Sequence, residues 1–498
     1  MDIRKRSLII MISQGLTQAT TIILSIILVR LVDKELFGTY KQVILVYTLI
    51  SGVLSFQLNQ SLFYFISRTD FEKQKPLMLQ TWLLVFFNTL IMGMVIYLSA
   101  HWVSELFHNP RLEVPLRIVG LFPLADRFSQ LVGPFMISKD RPIRAGIYTI
   151  LFMAVRMIVV VTGLALDYPL THVLGWMITA MAFFSLLGNL DVLRMCTSGA
   201  WAMDRSLWRE QLHYVGPLWI STVAMVATIQ FDKALISAVY GPEIFAVYVC
   251  GAFELPIVTL VTSSLSTAVL PSLVPLARSG RHQDVVNLWQ QTMRKSSLVI
   301  FPCFAFCLLE ARDLMVLLFG QAFARAAWPF SIYLLGLPIR IAFFSTLLRA
   351  YGRTVAVAEG VILGFLVNVV ISVAMVHFWK ASLWGFIGPS IGTVAGILVL
   401  SAAMLTRTVT LTHVSMVRLL CWRELARTLL LSLCCAGLAL WIPMGIEHVG
   451  IRLAVRLTLF GIIWLVVFLG TGSLAEDEKK MIFQPMAYFR KADQGGCE

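Results

Sequence analysis

Charge is scarce in this chain. Only 13% of its 498 residues are Asp, Glu, Lys or Arg, whereas a soluble globular domain carries about 25%. That shortage excludes an ordinary soluble fold, whose surface would lack the polar residues to cover it. No G-x-x-x-x-G-K-[ST] loop occurs, so the chain is not its own ATPase. H-E-x-x-H and G-x-S-x-G are also missing, and no long loop carries the paired carboxylates of a membrane glycosyltransferase or polysaccharide ligase. No catalytic residue is therefore assigned, and a glycosyltransferase or polymerase is a distant alternative. Cys303, Cys307, Cys434 and Cys435 lie in apolar runs without partners at metal spacing. They read as small packing residues, and neither metal nor cofactor is expected.

Apolar residues are abundant, at 58%, with a mean hydropathy of +0.82. Runs long enough to cross a bilayer fall at roughly 7–29, 40–66, 81–103, 115–137, 142–163, 170–193, 212–239, 244–270, 295–318, 328–350, 354–376, 382–405, 424–443 and 450–470. The fold class is therefore an all-α integral membrane protein of about 14 transmembrane helices, with the lipid bilayer as its solvent. The first run follows Arg4-Lys5-Arg6 and lacks a small-residue cleavage site, which predicts a retained helix.

The net charge of +13 could point to nucleic acid, but its placement argues against that partner. Of the 40 Lys and Arg residues, 26 fall in the N-terminus, the even-numbered loops and the tail, and 9 in the odd-numbered loops. Lys41 is counted among the second group. The other five, Arg117, Arg127, Arg156, Lys233 and Arg340, lie within runs. By the positive-inside rule both termini are cytoplasmic. Two cytoplasmic segments, one with Trp201 and Trp208 and one with Val285, Val286, Leu288 and Trp289, read as amphipathic helices on the inner leaflet or as plain connectors.

The sequence also repeats. Glu35-Leu36-Phe37-Gly38-Thr39-Tyr40 resembles Glu243-Ile244-Phe245-Ala246-Val247-Tyr248, Pro115 answers Pro329, and Arg141 answers Arg353, at offsets of 208 to 214. Two parallel six-helix lobes explain this, at 1–195 and 212–405, with a cytoplasmic linker at 196–211. Two additional helices at 406–470 and a cytoplasmic tail at 471–498 stand outside the repeat.

Asp232-Lys233, then Tyr240-Gly241-Pro242-Glu243 and Tyr248, resemble a hallmark of the oligosaccharide flippases, with Ala246 in place of a second glycine. Leu28 to Leu31 with Glu35 to Tyr40 looks like the matching turn. The chain thus resembles the polysaccharide transporter branch of the multidrug/oligosaccharidyl-lipid/polysaccharide exporter superfamily. The resemblance implies a V-shaped bundle that moves an undecaprenyl-diphosphate-linked oligosaccharide, such as an O-antigen or exopolysaccharide repeat unit, from the inner to the outer leaflet by alternating access. It implies the bacterial inner membrane as location, with polysaccharide polymerase and chain-length machinery as further partners.

A basic residue in mid-span is costly and is usually kept for a pathway or a partner. Arg127, Arg156 and Arg340 sit near midpoints, and Lys233 lies in the outer third of the seventh span. Helix breakers precede two of them: Pro123 before Arg127, and Gly336 with Pro338 before Arg340. The plain alternatives are ion pairs, Arg127 with Asp126 and Arg340 with Glu254 or Glu310. Polar stripes run along Gln14, Gln18, Thr21 and Ser25, and along Thr48, Ser51, Ser55 and Asn59; Gln230 shares a face with Lys233. These residues are the expected cavity, and Asp126, Asp232 and Glu254 are the carboxylates available for ion coupling. An ion-coupled multidrug exporter is the alternative within the fold. Reporter fusions at residues 70, 140, 280 and the C-terminus are expected to score inside, and those at 108 and 446 outside. An external C-terminus would overturn the topology.

Overall fold

In hydrocarbon every backbone N–H and C=O needs a partner within the protein, so a chain this apolar folds as helices. A computed structural model describes residues 3–68, 73–196, 200–253, 255–442 and 445–471, and helix is the only regular secondary structure among them. Contacts group the chain into two compact units, 1–250 and 251–498. Twelve helices are long and apolar enough to cross a membrane among the described residues. The apolar segment Gly15–Leu31 and a broken fourth segment accompany them, so the helices follow the order of the spans, about fourteen in all.

The first unit holds α1 (Ile3–Leu31), α2 (Lys34–Leu54), α3 (Leu58–Arg68), α4 (Gln74–Leu106), α5 (Glu113–Val119), α6 (Phe122–Ser138), α7 (Pro142–Ala165), α8 (Leu170–Met195) and α9 (Arg205–Gly251). The expected second span is two helices, because Phe56 and Gln57 adopt left-handed backbone with φ of 45° and 50°. Asn59 therefore does not continue the face of Thr48, Ser51 and Ser55. Side chains take up the carbonyls freed at this break: Asn88 Nδ2 donates to Leu54 O at 2.6 Å, and Trp219 Nε1 donates to Val53 O. The fourth span breaks between α5 and α6 at Gly120 and Leu121, with Pro123 in the first turn of α6, as the breaker predicts.

Helix α9 lies along α2 and α3. A Cβ on Gly52 would meet Val226 at 2.6 Å, and Gln211 Nε2 donates to Ser61 Oγ at 2.9 Å and Thr81 Oγ1 at 3.0 Å. These contacts group α9 with the first unit. Trp208 stands in the first turn of α9, and Trp201 stacks on Trp82 with centroids 6.2 Å apart, so the described residues of the linker form no separate surface helix.

The second unit holds α10 (Pro256–Arg278), α11 (His282–Leu309), α12 (Ala311–Phe319), α13 (Ala327–Leu334), α14 (Leu337–Arg340), α15 (Phe344–Ala350), α16 (Thr354–Trp379), α17 (Leu383–Thr412), α18 (Met416–Leu419), α19 (Trp422–Trp441) and α20 (Val449–Gly470). Val285, Val286 and Trp289 are buried in one core with Leu347 and Leu419, which overturns their reading as an interfacial face. An amphipathic stripe fits a protein core as well as a leaflet. The tenth span is three short helices, interrupted at Gly336 as expected and again at left-handed Phe343.

Helices α16 and α17 meet along small residues, with Gly360, Gly364, Asn368 and Ser372 facing Gly388, Gly392 and Gly396. This is the small-xxx-small seam of membrane helices, where backbones touch. A Cβ on Gly364 would lie 2.7 Å from Gly396 O, and one on Gly396 2.5 Å from Gly364 O. Gly396→Ala is expected to cost about 1–3 kcal/mol through overpacking, read as a lowered Tm of the purified protein. Gly437→Ala, where a Cβ meets nothing within 4 Å, is expected to leave Tm unchanged or raise it. An unchanged Tm for Gly396→Ala would contradict the seam.

Candidate functional site

Asp33 accepts the N–H of Leu36 at 2.7 Å and so starts α2 at Lys34. That start sets the register of two tyrosines, Tyr40 and Tyr47, seven residues and thus about 10.5 Å apart on one face. Both are buried, and a buried phenol needs a polar partner. Tyr47 donates to Asp126 Oδ2 on α6, and Arg156 Nη2 on α7 donates to the Tyr40 hydroxyl at 3.4 Å. Gln130 Nε2 donates to Asp126 Oδ2 at 2.8 Å, and Arg127 Nη1 donates to Gln130 Oε1 at 3.0 Å. Arg127 Nε stands 3.8 Å from Asp126 Oδ2, so the plain alternative of a local ion pair is realised in part. The Nε groups of Arg127 and Arg156 are buried and lack a hydrogen-bond partner among the described residues.

Lys41 joins this cluster and corrects the sequence reading that counted it in an external segment. It lies in the second turn of α2, where its Nζ donates to Ser25 Oγ on α1 at 2.7 Å and sits 5.3 Å from the Phe37 ring centroid. Arg127 on α6 and Arg156 on α7 thus stand near one carboxylate, Asp126, and Lys41 follows Tyr40 on α2 as a third cation. Such an arrangement suits an anion with several acceptor oxygens.

The turns at Glu35 to Tyr40 and Tyr240 to Glu243 meet at the outer end of α2, counted on the expected topology. A Cβ on Gly38 would lie 2.1 Å from Pro242 O, so only glycine fits beneath that carbonyl. Gly241, with φ of 72°, makes the bend within α9 that brings Pro242 there. Asn109 Nδ2 donates to Thr39 Oγ1 at 2.9 Å and Gln42 Oε1 at 2.7 Å, and Gln42 Nε2 donates to Ser237 Oγ at 2.9 Å. Asp232 is buried and accepts from the Tyr248 hydroxyl at 3.0 Å, with Lys233 Nζ 3.9 Å from its other oxygen. Lys233 also donates to Ile229 O at 2.9 Å.

Of the expected cavity residues, Arg127, Arg156 and Asp126 come together. Lys233, Asp232 and half-buried Gln230 form a second group on α9. Gln18 is exposed, Asn59 lies beyond the break, and Arg340 ends α14 in the second unit. The side chain of Gln14 and the whole of Glu254 lie outside the described residues. Glu310 is not the partner of Arg340: Arg456 holds it at 3.0 Å and Arg452 holds neighbouring Asp313 at 2.6 Å, which ties α20 to α12. Sequence reasoning missed Tyr40, Tyr47, Gln130 and Lys41; the i, i+7 tyrosines after an N-cap were the available signal.

A family model described as polysaccharide biosynthesis protein matches residues 3–277. No curated protein sequence matches the chain. Among solved structures, the lipid II flippase MurJ in an inward closed conformation has a TM-score of 0.71 at 12% identity, covering 93% of this chain and 99% of that one. An inward-facing multidrug resistance MATE family transporter of the MOP superfamily has 0.60 at 14%, covering 80% and 95%. A MOP superfamily transporter from Pyrococcus furiosus, described as having a binding pocket of reverse polarity, has 0.52 at 15%, covering 82% and 96%. Gly38→Val is expected to part the Gly38–Pro242 contact and lower the Tm. Gly133→Val on α6, where a Cβ meets nothing within 4 Å, serves as the tolerant control. Equal Tm values for the two would contradict the close approach.

Proposed function

Because this chain belongs to the polysaccharide biosynthesis protein family, a multi-pass membrane protein with the fold of the MOP superfamily transporters, we propose that it is a flippase for an undecaprenyl-diphosphate-linked oligosaccharide. The substrate moves from the inner to the outer leaflet of the bacterial cytoplasmic membrane, both termini being cytoplasmic. Access alternates between the six-helix lobes 1–195 and 212–405.

One observation carries this reading: on α2, α6 and α7 the half-buried cations Lys41, Arg127 and Arg156 outnumber the carboxylate Asp126 among the described residues. A diphosphate offers the acceptor oxygens that two guanidinium groups with free Nε donors can take. Hydroxyl-rich sugars match the amide and hydroxyl groups of Gln130, Tyr40 and Tyr47. The similarity to a lipid II flippase supports a lipid-linked cargo. Polysaccharide polymerase and chain-length machinery are the proposed downstream partners.

Ion-coupled drug export is the second reading, favoured by one feature, the Asp126 carboxylate held by Tyr47 and Gln130. A drug pump for cations would place carboxylates in excess, and here they are the minority.

The test is transport of a lipid-diphosphate oligosaccharide by the purified chain in proteoliposomes. Arg127→Ala, Arg156→Ala, Arg340→Ala and Lys41→Ala are each expected to lower the rate about tenfold or more, the loss of one charge-assisted contact. Lysine at the arginine positions recovers part of the rate if charge alone acts, and little if paired N–H donors are needed. Wild-type rates in all four alanine variants would overturn the anionic cargo.

A further inference from the structure

Three turns on the side that the charge pattern assigns to the cytoplasm are built alike. Asp140, Gly280 and Gly352 adopt φ of 58°, 70° and 70°. Each is followed by an arginine, Arg141, Arg281 or Arg353, whose N–H returns to a carbonyl of the preceding helix, Met136, Leu276 or Leu348, at 2.8, 3.0 and 2.9 Å. Each arginine then stands as the first residue before the next helix. Arg281 is occupied, its Nε 2.6 Å from Asp284 Oδ2. Arg353 instead opens onto a cavity.

That cavity, about 440 Å³, lies in the second unit between the start of α16 and the end of α17. Arg353, Arg407, Glu359 and Thr410 line it, with Val355 and Leu411 on its apolar side. Arg407 Nη2 meets Glu359 Oε2 at 3.1 Å, yet both side chains are mostly exposed, so this pair is weak and can be exchanged. Two guanidinium groups and a hydroxyl surround the space. Leading away from it, α16 shows lipid a continuous apolar stripe: Val355, Ile362, Leu366, Val370 and Val373 are all exposed. From Val355 to Val373 the stripe rises about 27 Å, nearly the full depth of the hydrocarbon core and more than one leaflet. Phosphate-binding donors at the head of an apolar track match the shape of one class of molecule.

We propose that this cavity binds the phosphodiester headgroup of an anionic phospholipid of the cytoplasmic leaflet. Arg353 and Arg407 hold the phosphate, and the acyl chain lies along α16. Basic pockets between helix ends on this side of a membrane recognise such headgroups. Glu359 opposes the anion, so it sets the affinity by competing for Arg407. The leaflet rests on the proposed topology; the headgroup chemistry does not, and neither rests on the cargo.

The purified full chain in detergent, titrated with phosphatidylglycerol or phosphatidylcholine and read by native mass spectrometry, tests this. Wild type is expected to retain phosphatidylglycerol preferentially. R353Q/R407Q is expected to retain at least about fivefold less of it, with phosphatidylcholine retention unchanged, and E359Q to retain more. R353K/R407K keeps the charge and is expected to fall between. Equal phosphatidylglycerol retention by wild type and R353Q/R407Q overturns the proposal. Should that variant fail to fold, unchanged retention in E359Q does the same. Displacement of the lipid by millimolar inorganic phosphate would assign the pocket to a soluble phosphate compound and overturn the lipid. A reporter at residue 353 that scores outside, with phosphatidylglycerol retention intact, would overturn the leaflet alone.

Discussion

A peptide group in hydrocarbon cannot be left without a hydrogen-bond partner, and the break after α2 is arranged around that rule. The break after α2 exposes two carbonyls, and Asn88 and Trp219 are there to meet them. Trp219 belongs to α9, so satisfying the backbone at this break also fixes α9 alongside α2. Farther along the same helix pair, Gln42 reaches Ser237 and Gly38 passes beneath Pro242 O. The seating of α9 and the position of Tyr40 and Tyr47 therefore share one cause.

Buried charge follows the same economy on a larger scale. Acids that could have neutralised midspan cations are used elsewhere: Glu310 and Asp313 hold α20 through Arg456 and Arg452. Asp232 is engaged by Tyr248 and Lys233. Among the described residues, Asp126 is the carboxylate that faces Arg127 and the neighbouring Arg156. The first unit thus keeps a positive interior whose donors are only partly used, an expensive arrangement that membrane proteins keep for a ligand.

Much of this was legible in the sequence because its physics is local. Pro123, Gly336 and Pro338 announced the breaks in the fourth and tenth segments, since a ring or a missing Cβ acts on its own backbone. Apolar run length gave the helices in order. The failures came where one pattern serves two environments. Val285, Val286 and Trp289 form a stripe that a core takes as readily as a leaflet. Phe56 and Gln57 carry no mark of left-handed backbone, which tertiary partners impose. Lys41 looked like a loop residue because Asp33 was not weighed as a cap. Tyrosines in an apolar run look like packing, and only the facing Asp126 and Arg156 reveal their use.

The glycine seam of α16 and α17 has a consequence for how the molecule is made. Its contacts join residues linked by the short turn Lys380 to Ser382, so closing the hairpin costs little chain entropy. Such local pairings form fast. Once the second helix has left the ribosome and entered the bilayer, the two backbones can close on each other without waiting for the rest of the chain. The hairpin would then present a finished surface, stiff and about 39 Å long, for α13 and α15 to fold against. Biogenesis of the second unit would start from its middle and not from its N-terminal end.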